Sequence, residues 1–179
     1  MNILLVGKAA SGKDFMKNYL SKQHKYRVST SHTTRPARKG EVDGVDYYFI
    51  SPLKFKIMSF FRLFFEEKTF NGWGYGTSKK EMKNSKVFIF TPGGIAKLPK
   101  SFLDNSIIIY FNISSRDRLD RLMKRSDSDS MVRRMRADCE DFKDFHTWDI
   151  MVTEAEFKPF VLWLDCVNLE YRKLKRKQR

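Results

Sequence analysis

Apolar and polar positions along the chain fall into two alternating kinds of stretch. Short apolar runs, "NILLV" (2–6), "KVFIF" (86–90), "SIIIYFN" (106–112) and "WDIMVT" (148–153), predict buried strands, and "YRVST" (26–30) reads as one more. Longer stretches with apolar residues every three or four positions predict helices. These are "KDFMKNYLSKQ" after the first strand, two patterns within 114–145 separated by "RSDSDS", and a last helix over about 155–174. Strands alternating with helices predict an α/β fold with a parallel sheet flanked by helices. Between 31 and 85 the rhythm changes. "DYYFIS", "FFEEKTF" and "WGYGTS" are short strand candidates around the helical stretch "PLKFKIMSFFRLF", which predicts an inserted mixed α/β lobe. The expected division of this single domain, 1–179, is a core of 1–30, 86–113 and 146–174, a lobe of 31–85, a helical lid of 114–145 and a basic tail of 171–179.

Composition narrows the class. A chain of 179 residues suits one domain with a sizeable core, and 41% hydrophobic residues with 16 Phe are those of a packed globular protein. The longest apolar tract, around "IMSFFRLFF", is interrupted by Arg62 and is far shorter than the roughly 20 residues a membrane span needs. No secretory segment is visible at the start, so no membrane partner and a cytoplasmic location are expected (host cytoplasm for a viral protein). Cys139 and Cys166 make no disulfide framework or zinc-ligand spacing. The net charge of +14 is concentrated in part in "YRKLKRKQR". Such a balance suits binding of several phosphates at once, with nucleic-acid association as a secondary property.

The chemistry begins at "GKAASGKD", Gly7 to Asp14, between a predicted strand and a predicted helix. It has the spacing of a phosphate-binding loop, G-x-x-x-x-G-K-S/T, except at the last letter. In that setting backbone N–H groups and the helix dipole attract phosphate. Gly7 and Gly12 permit the tight backbone, Ala9, Ala10 and Ser11 supply amides, and Lys13 reaches the phosphates as a point charge. Asp14 stands where a magnesium-ligating hydroxyl is usual. Two roles remain open for it: a relocated Mg²⁺ ligand, or a helix N-cap.

Downstream, Arg35 and Arg38 follow "STSHTT", in a turn shaped by Pro36. Two guanidiniums close together repel unless an anion sits between them, and their planar forks suit phosphate oxygens. Ser31, Thr33, Thr34, Arg35, Arg38, Gly40, Glu41, Gly44, Asp46, Tyr47 and Phe49 together match the pattern S-x-T-T-R-x-x-R-x-G-E-x-x-G-x-D-Y-x-F, and here the chain resembles the guanylate kinases. "FEEKTFNGWGYGTS" resembles that family's F-x-E segment followed by Y-G-T-S. The resemblance implies a nucleoside monophosphate kinase of the phosphate-loop NTPase fold, moving the γ-phosphoryl of ATP to GMP or dGMP with Mg²⁺. It implies that Arg35, Arg38 and Tyr47 hold the acceptor phosphate, and that Ser31, Glu41, Glu66, Tyr75 and Thr77 complete that pocket. A carboxylate such as Glu66 accepts from guanine N1–H and the N2 amino group together and repels the lone pair that adenine presents there. A site built this way rejects the wrong base by roughly 10⁴-fold or more.

The segment Arg121-Leu122-x-x-Arg125 resembles the family's lid motif R-L-x-x-R, and Arg134 in "RRM" its second lid arginine. Arginines closing over the moving phosphoryl group supply charge stabilisation and exclude water. Arg121 reads equally as a nucleotide contact and as a helix-surface ion pair. Four positions depart from the family pattern. Asp14 replaces Ser or Thr, and Ile89 and Thr91 stand where two carboxylates are usual. The stretch between Arg125 and Arg134 is about two residues short, and Thr153 lies where the last strand often carries Asn. The loop "SGKD" resembles those of some phage kinases. Other expectations compatible with the pattern are a phosphopeptide-binding module of the same fold and a kinase with a broader deoxynucleotide or sugar-phosphate acceptor; either a monomer or a homodimer fits.

Overall fold

The computed structural model describes residues 1–124 and 131–177, and their side chains except those of 131, 132, 134 and 167–177. In chain order the elements are β1 (Asn2–Gly7), α1 (Lys13–His24), β2 (His32–Thr33), β3 (Tyr48–Phe49), α2 (Pro52–Phe60), β4 (Phe64–Phe70), β5 (Trp73–Ser78), α3 (Lys79–Asn84), β6 (Val87–Phe90), α4 (Pro92–Ile95), α5 (Lys100–Leu103), β7 (Ser106–Phe111), α6 (Ser115–Met123), α7 (Met131–Asp141), β8 (Ile150–Val152) and α8 (Glu154–Lys177).

The apolar runs form one four-stranded sheet, ordered β6-β1-β7-β8, with every pairing parallel. Because alternate residues of a strand face opposite ways, a continuous apolar run fills both faces. Ile3 and Leu5 of β1, with Ile109 and Phe111 of β7, pack against Met16 and Leu20 of α1 and Phe160 of α8. Leu4 and Val6, with Ile108 and Tyr110, join Phe88, Phe90, Ile95 and Phe145 on the other face. Phe88, Phe90, Phe111, Leu4 and Leu5 are almost wholly buried, and each such side chain stabilises the fold by about 1.5–3 kcal/mol.

One expected strand shrinks. Of residues 26–30 only Val28 bridges to Val87, flanked by bonds from Val87 N–H to Arg27 O and from Ser29 N–H to Val87 O. The stretch lies at the outer edge of the parallel sheet, and Val28 is its one apolar side chain packed on the core, so nothing extends the pairing.

The changed rhythm after residue 31 becomes a second, mixed sheet, β3-β2-β5-β4. The β4–β5 hairpin is antiparallel, with a register shift between Phe64 and Glu66 that sets Glu66 opposite Thr77. Such a bulge re-aims side chains. Among the described residues no helix is long and apolar enough to cross a membrane.

Candidate active site

The loop after β1 turns on two left-handed residues, Ala10 (φ 60°) and Gly12 (φ 97°). A Cβ on Gly12 would come within 2.9 Å of the Phe157 ring, so this position needs glycine both for its backbone and for its space. α1 starts directly at Lys13. The ammonium of Lys13 lies across the loop, donating to Gly7 O at 2.6 Å, Lys8 O at 2.7 Å and Ser11 Oγ at 3.4 Å. Ser11 is fully buried beneath it. The cap position of α1 is Gly12, which has no side chain to accept a bond, and Asp14 lies inside the first turn. Capping is therefore not the role of Asp14. Its carboxylate is exposed towards the cavity in front of the loop.

The second sheet presents the opposite wall. Arg35 is 8% exposed and donates from one nitrogen to both oxygens of Glu41 at 2.9 Å and from the other to Pro36 O at 2.6 Å. Its guanidinium stands 5.5 Å from the Tyr47 ring centre and 5.7 Å from that of Phe49. Glu41 also accepts from the backbone N–H of Arg38 at 2.7 Å and meets its guanidinium at 3.7 Å. One carboxylate thus orients both arginines. Burial pushes the Tyr47 phenol up, and the Asp14 carboxylate pushes it further; both side chains line the same cavity.

Glu66 is the most chemically distinctive group. Burial raises its carboxyl from 4.5 to about 6, against the opposing pull of Lys97, Thr77 and Lys68. The Thr77 hydroxyl donates to it at 3.5 Å and lies 3.2 Å from the Ser31 hydroxyl. A Cβ on Gly94 would sit 2.4 Å from a Glu66 oxygen, so Gly94 clears the space the carboxylate occupies.

Gly7, Ala9, Ala10, Lys13, Asp14, Ser31, Arg38, Tyr47, Glu66, Tyr75 and Thr77 line a single cavity of about 320 Å³. Arg35, Glu41, Ser11 and Gly12 do not line it, although Glu41 touches Arg38, which does. Ile89 and Thr91 line it too, where carboxylates were expected from the family pattern; Thr91 caps α4 by accepting from Gly94 N–H at 3.2 Å. A larger cavity, about 600 Å³, lies between α2 and the β4–β5 hairpin, away from the loop. The chemistry is concentrated in the smaller one.

The lid is described in part. Arg125 lies outside the described residues, as does the side chain of Arg134, whose backbone belongs to α7. Arg121 donates to Ala10 O at 3.1 Å and to both oxygens of Glu154 at 2.7 Å, so it is an ion-pair partner and a brace for the loop at once. Two residues that sequence reasoning passed over stand closer. Arg118, 1% exposed, donates to Asp138 at 2.8 Å and to Ala9 O at 3.3 Å. Both oxygens of Asp138 accept from Ala9 N–H, at 2.9 and 3.1 Å. The amide and the carbonyl of one loop residue are thus held by a buried ion pair from α6 and α7. In the sequence both residues sit in highly charged helical stretches, and no signal separates them from solvated neighbours.

The sequence model of the guanylate kinase family matches residues 1–165. The guanylate kinase of Wigglesworthia glossinidia brevipalpis is 35% identical, over 84% of this chain and 76% of its own. That of Buchnera aphidicola from Acyrthosiphon pisum is 36% identical, over 75% and 69%. The crystal structure of guanylate kinase from Anaplasma phagocytophilum superposes with a TM-score of 0.67 at 20% identity, covering 93% of this chain and 84% of that one.

Proposed function

The chain belongs to the guanylate kinase family, and from that premise we infer that it transfers the γ-phosphoryl group of ATP to GMP, giving ADP and GDP. The observation that carries this reading is one cavity with a phosphate loop and Lys13 on one wall, and Arg38, Tyr47, Glu66 and Thr77 on the other. An oxygen of the acceptor monophosphate is already nucleophilic. It attacks the γ-phosphorus, the bond to the β–γ bridging oxygen breaks, and ADP leaves with the electron pair. No proton has to move, so positioning and charge neutralisation perform the catalysis.

We assign the parts as follows. Lys13 and the amides of the loop hold the ATP phosphates. Arg38 and Tyr47 take the acceptor phosphate, with Arg35 kept in register by Glu41. Ionised Glu66 accepts from guanine N1–H and N2–H, and Thr77, beside Ser31, serves O6, while Tyr75 closes the pocket. Arg121 braces the loop, and Arg125 and Arg134 are assigned to the transferring group. GMP and dGMP offer these side chains the same base and phosphate, so both are proposed as acceptors.

Mg²⁺ fits this site as a companion of the nucleotide. Among the described residues no cluster of three or more His, Cys, Asp or Glu could hold a metal, but the exposed Asp14 carboxylate stands next to Lys13 at the loop. Asp14 is the residue that would hold this ion beside the nucleotide, and the chemistry it would supply is positive charge against the ATP phosphates.

The test is ADP formation from ATP against GMP, dGMP, AMP, CMP, UMP and dTMP. Stimulation by GMP and dGMP is expected. No stimulation by either overturns the reading, and a phosphopeptide module would in addition show no magnesium-dependent ATP affinity.

A further inference from the structure

Helix α7 carries two aspartates one turn apart, and they point to different halves of the molecule. Asp138 is bound to the phosphate loop through Ala9 N–H and to Arg118. Asp141 accepts from Lys68 Nζ of β4 at 2.9 Å. Lys68 follows Glu66 by two positions, so both lie on the same face of that strand, and both line the cavity. Arg133, two turns earlier on α7, is hydrogen-bonded to Asn71 in the turn between β4 and β5. Just beyond α7, Phe142 stacks on Tyr110 at 5.8 Å and Phe145 meets the same ring edge-on at 5.4 Å, so the helix is rooted in the parallel sheet.

The two junctions differ in kind. Arg118 and Asp138 have side chains 1% and 15% exposed, whereas Lys68 and Asp141 are 40% and 42% exposed. Removing one partner of the buried pair leaves an uncompensated charge and is costly. The exposed pair contributes little and is weakened by salt. When the halves part, the junction that yields is therefore the one at Lys68, and α7 stays with the loop.

We propose that Lys68 and Asp141 are a positioning pair for phosphoryl transfer: their contact draws the lid helix on to the strand bearing Glu66 and sets the distance between the two bound nucleotides. The proposal rests on the kinase reading above. Neither residue touches reacting atoms in it; each acts by holding the other's element. With the contact broken, the halves stand apart for longer and water enters. Water then takes the γ-phosphoryl group, giving ADP and inorganic phosphate in place of ADP and GDP.

The experiment uses the full chain with ATP and GMP, measuring ADP and GDP separately. Lys68→Met and Asp141→Asn are each expected to lower kcat about two- to five-fold, the range an exposed pair supports. The KM for ATP should change less than kcat, the ratio of ADP to GDP should rise above that of the unaltered protein, and Tm should hold. The charge-swapped double variant, Lys68→Asp with Asp141→Lys, should restore at least half of kcat and return the ratio. A merely structural role would not move that ratio. Single variants with unchanged kcat and unchanged ratio overturn the proposal. So does a swap that restores nothing while Tm is kept, because Lys68 would then act on the nucleotide directly. Absence of GMP-dependent turnover in the unaltered protein is a different result: it removes the kinase reading and this pair with it.

Discussion

The two walls of the cavity are organised by opposite means. On the second sheet the cations are arranged by neighbours in the chain: Glu41 holds Arg35 from six residues away and the Arg38 amide from three. On the loop, Lys13 lies on carbonyls of its own turn, while Ala9 is held by Arg118 and Asp138, more than a hundred residues distant. The arginines of the acceptor wall are thus preformed by a contiguous segment, and the donor loop is held by the lid helices. Lys13 donates to Gly7 O, Lys8 O and Ser11 Oγ, so meeting a phosphate exchanges bonds within its own loop. A preformed site loses little on binding, whereas an exchanging one loses part of what it gains.

The sharpest way to break this comparison is Arg38→Ala. Because Glu41 and Arg35 keep each other, the wall should stay folded while GDP formation falls by about 10²–10³-fold, with Tm nearly unchanged. A variant with near-normal turnover, measured beside a melting curve, removes Arg38 from the acceptor site.

Glu66 comes next. Its raised carboxyl means that the folded chain holds more protons than the unfolded chain between pH 4.5 and about 6. Its contribution to stability therefore falls as pH rises through that window, while the ionised form needed for guanine appears. The value of kcat/KM for GMP should drop about tenfold per pH unit below about 6. Glu66→Gln should lose that slope, fall by about 10²-fold at neutral pH and narrow the gap between GMP and AMP. A slope that survives in Glu66→Gln assigns it to another group. A smaller effect is expected at Gly94, which lies in α4 just after β6. Gly94→Ala would push the Glu66 carboxylate aside at about 1–3 kcal/mol, read as a higher KM for GMP with little change for ATP.

These differences also explain what the sequence could tell. The acceptor wall was legible because its side chains come in two spaced segments, 31–49 and Glu66 to Thr77, whose spacing survives in the letters. The parallel sheet was legible because strands buried on both faces are continuous apolar runs. Residues 26–30 misled because a strand needs a run of backbone pairs as well as a suitable composition, and only Val28 pairs with the neighbouring strand, at Val87. Arg118, Asp138, Lys68 and Asp141 were illegible for a different reason. Each is an ordinary charged residue in a charged stretch, and only the folded chain brings α6, α7, β4 and the loop together. Gly94 stands three residues after Thr91, where the family pattern also carries a glycine, but what it clears was not visible, since its importance lies in an atom it lacks.

Asp14 gives the smallest expected effect and tests the donor wall most directly. It lies inside the first turn of α1 and lines the cavity, so its charge acts on the helix only through the dipole, worth about 0.3–1 kcal/mol for an exposed carboxylate. Asp14→Ser restores the usual hydroxyl and removes the charge. If Asp14 holds the ion, titration of ATP at increasing Mg²⁺ should show about a three- to tenfold weaker magnesium-dependent affinity, with metal-free ATP bound equally or slightly better because a repelling carboxylate has gone. Tm should fall by no more than the dipole contribution. The opposite pattern, unchanged magnesium dependence with a lowered Tm, would make Asp14 a helix-start residue and leave the metal to phosphate oxygens and water. The acceptor wall supplies the control: with ATP absent, GMP should bind equally or slightly better to Asp14→Ser because the carboxylate that acts on Tyr47 has gone, and a weaker GMP affinity would show that the substitution disturbs more than the metal.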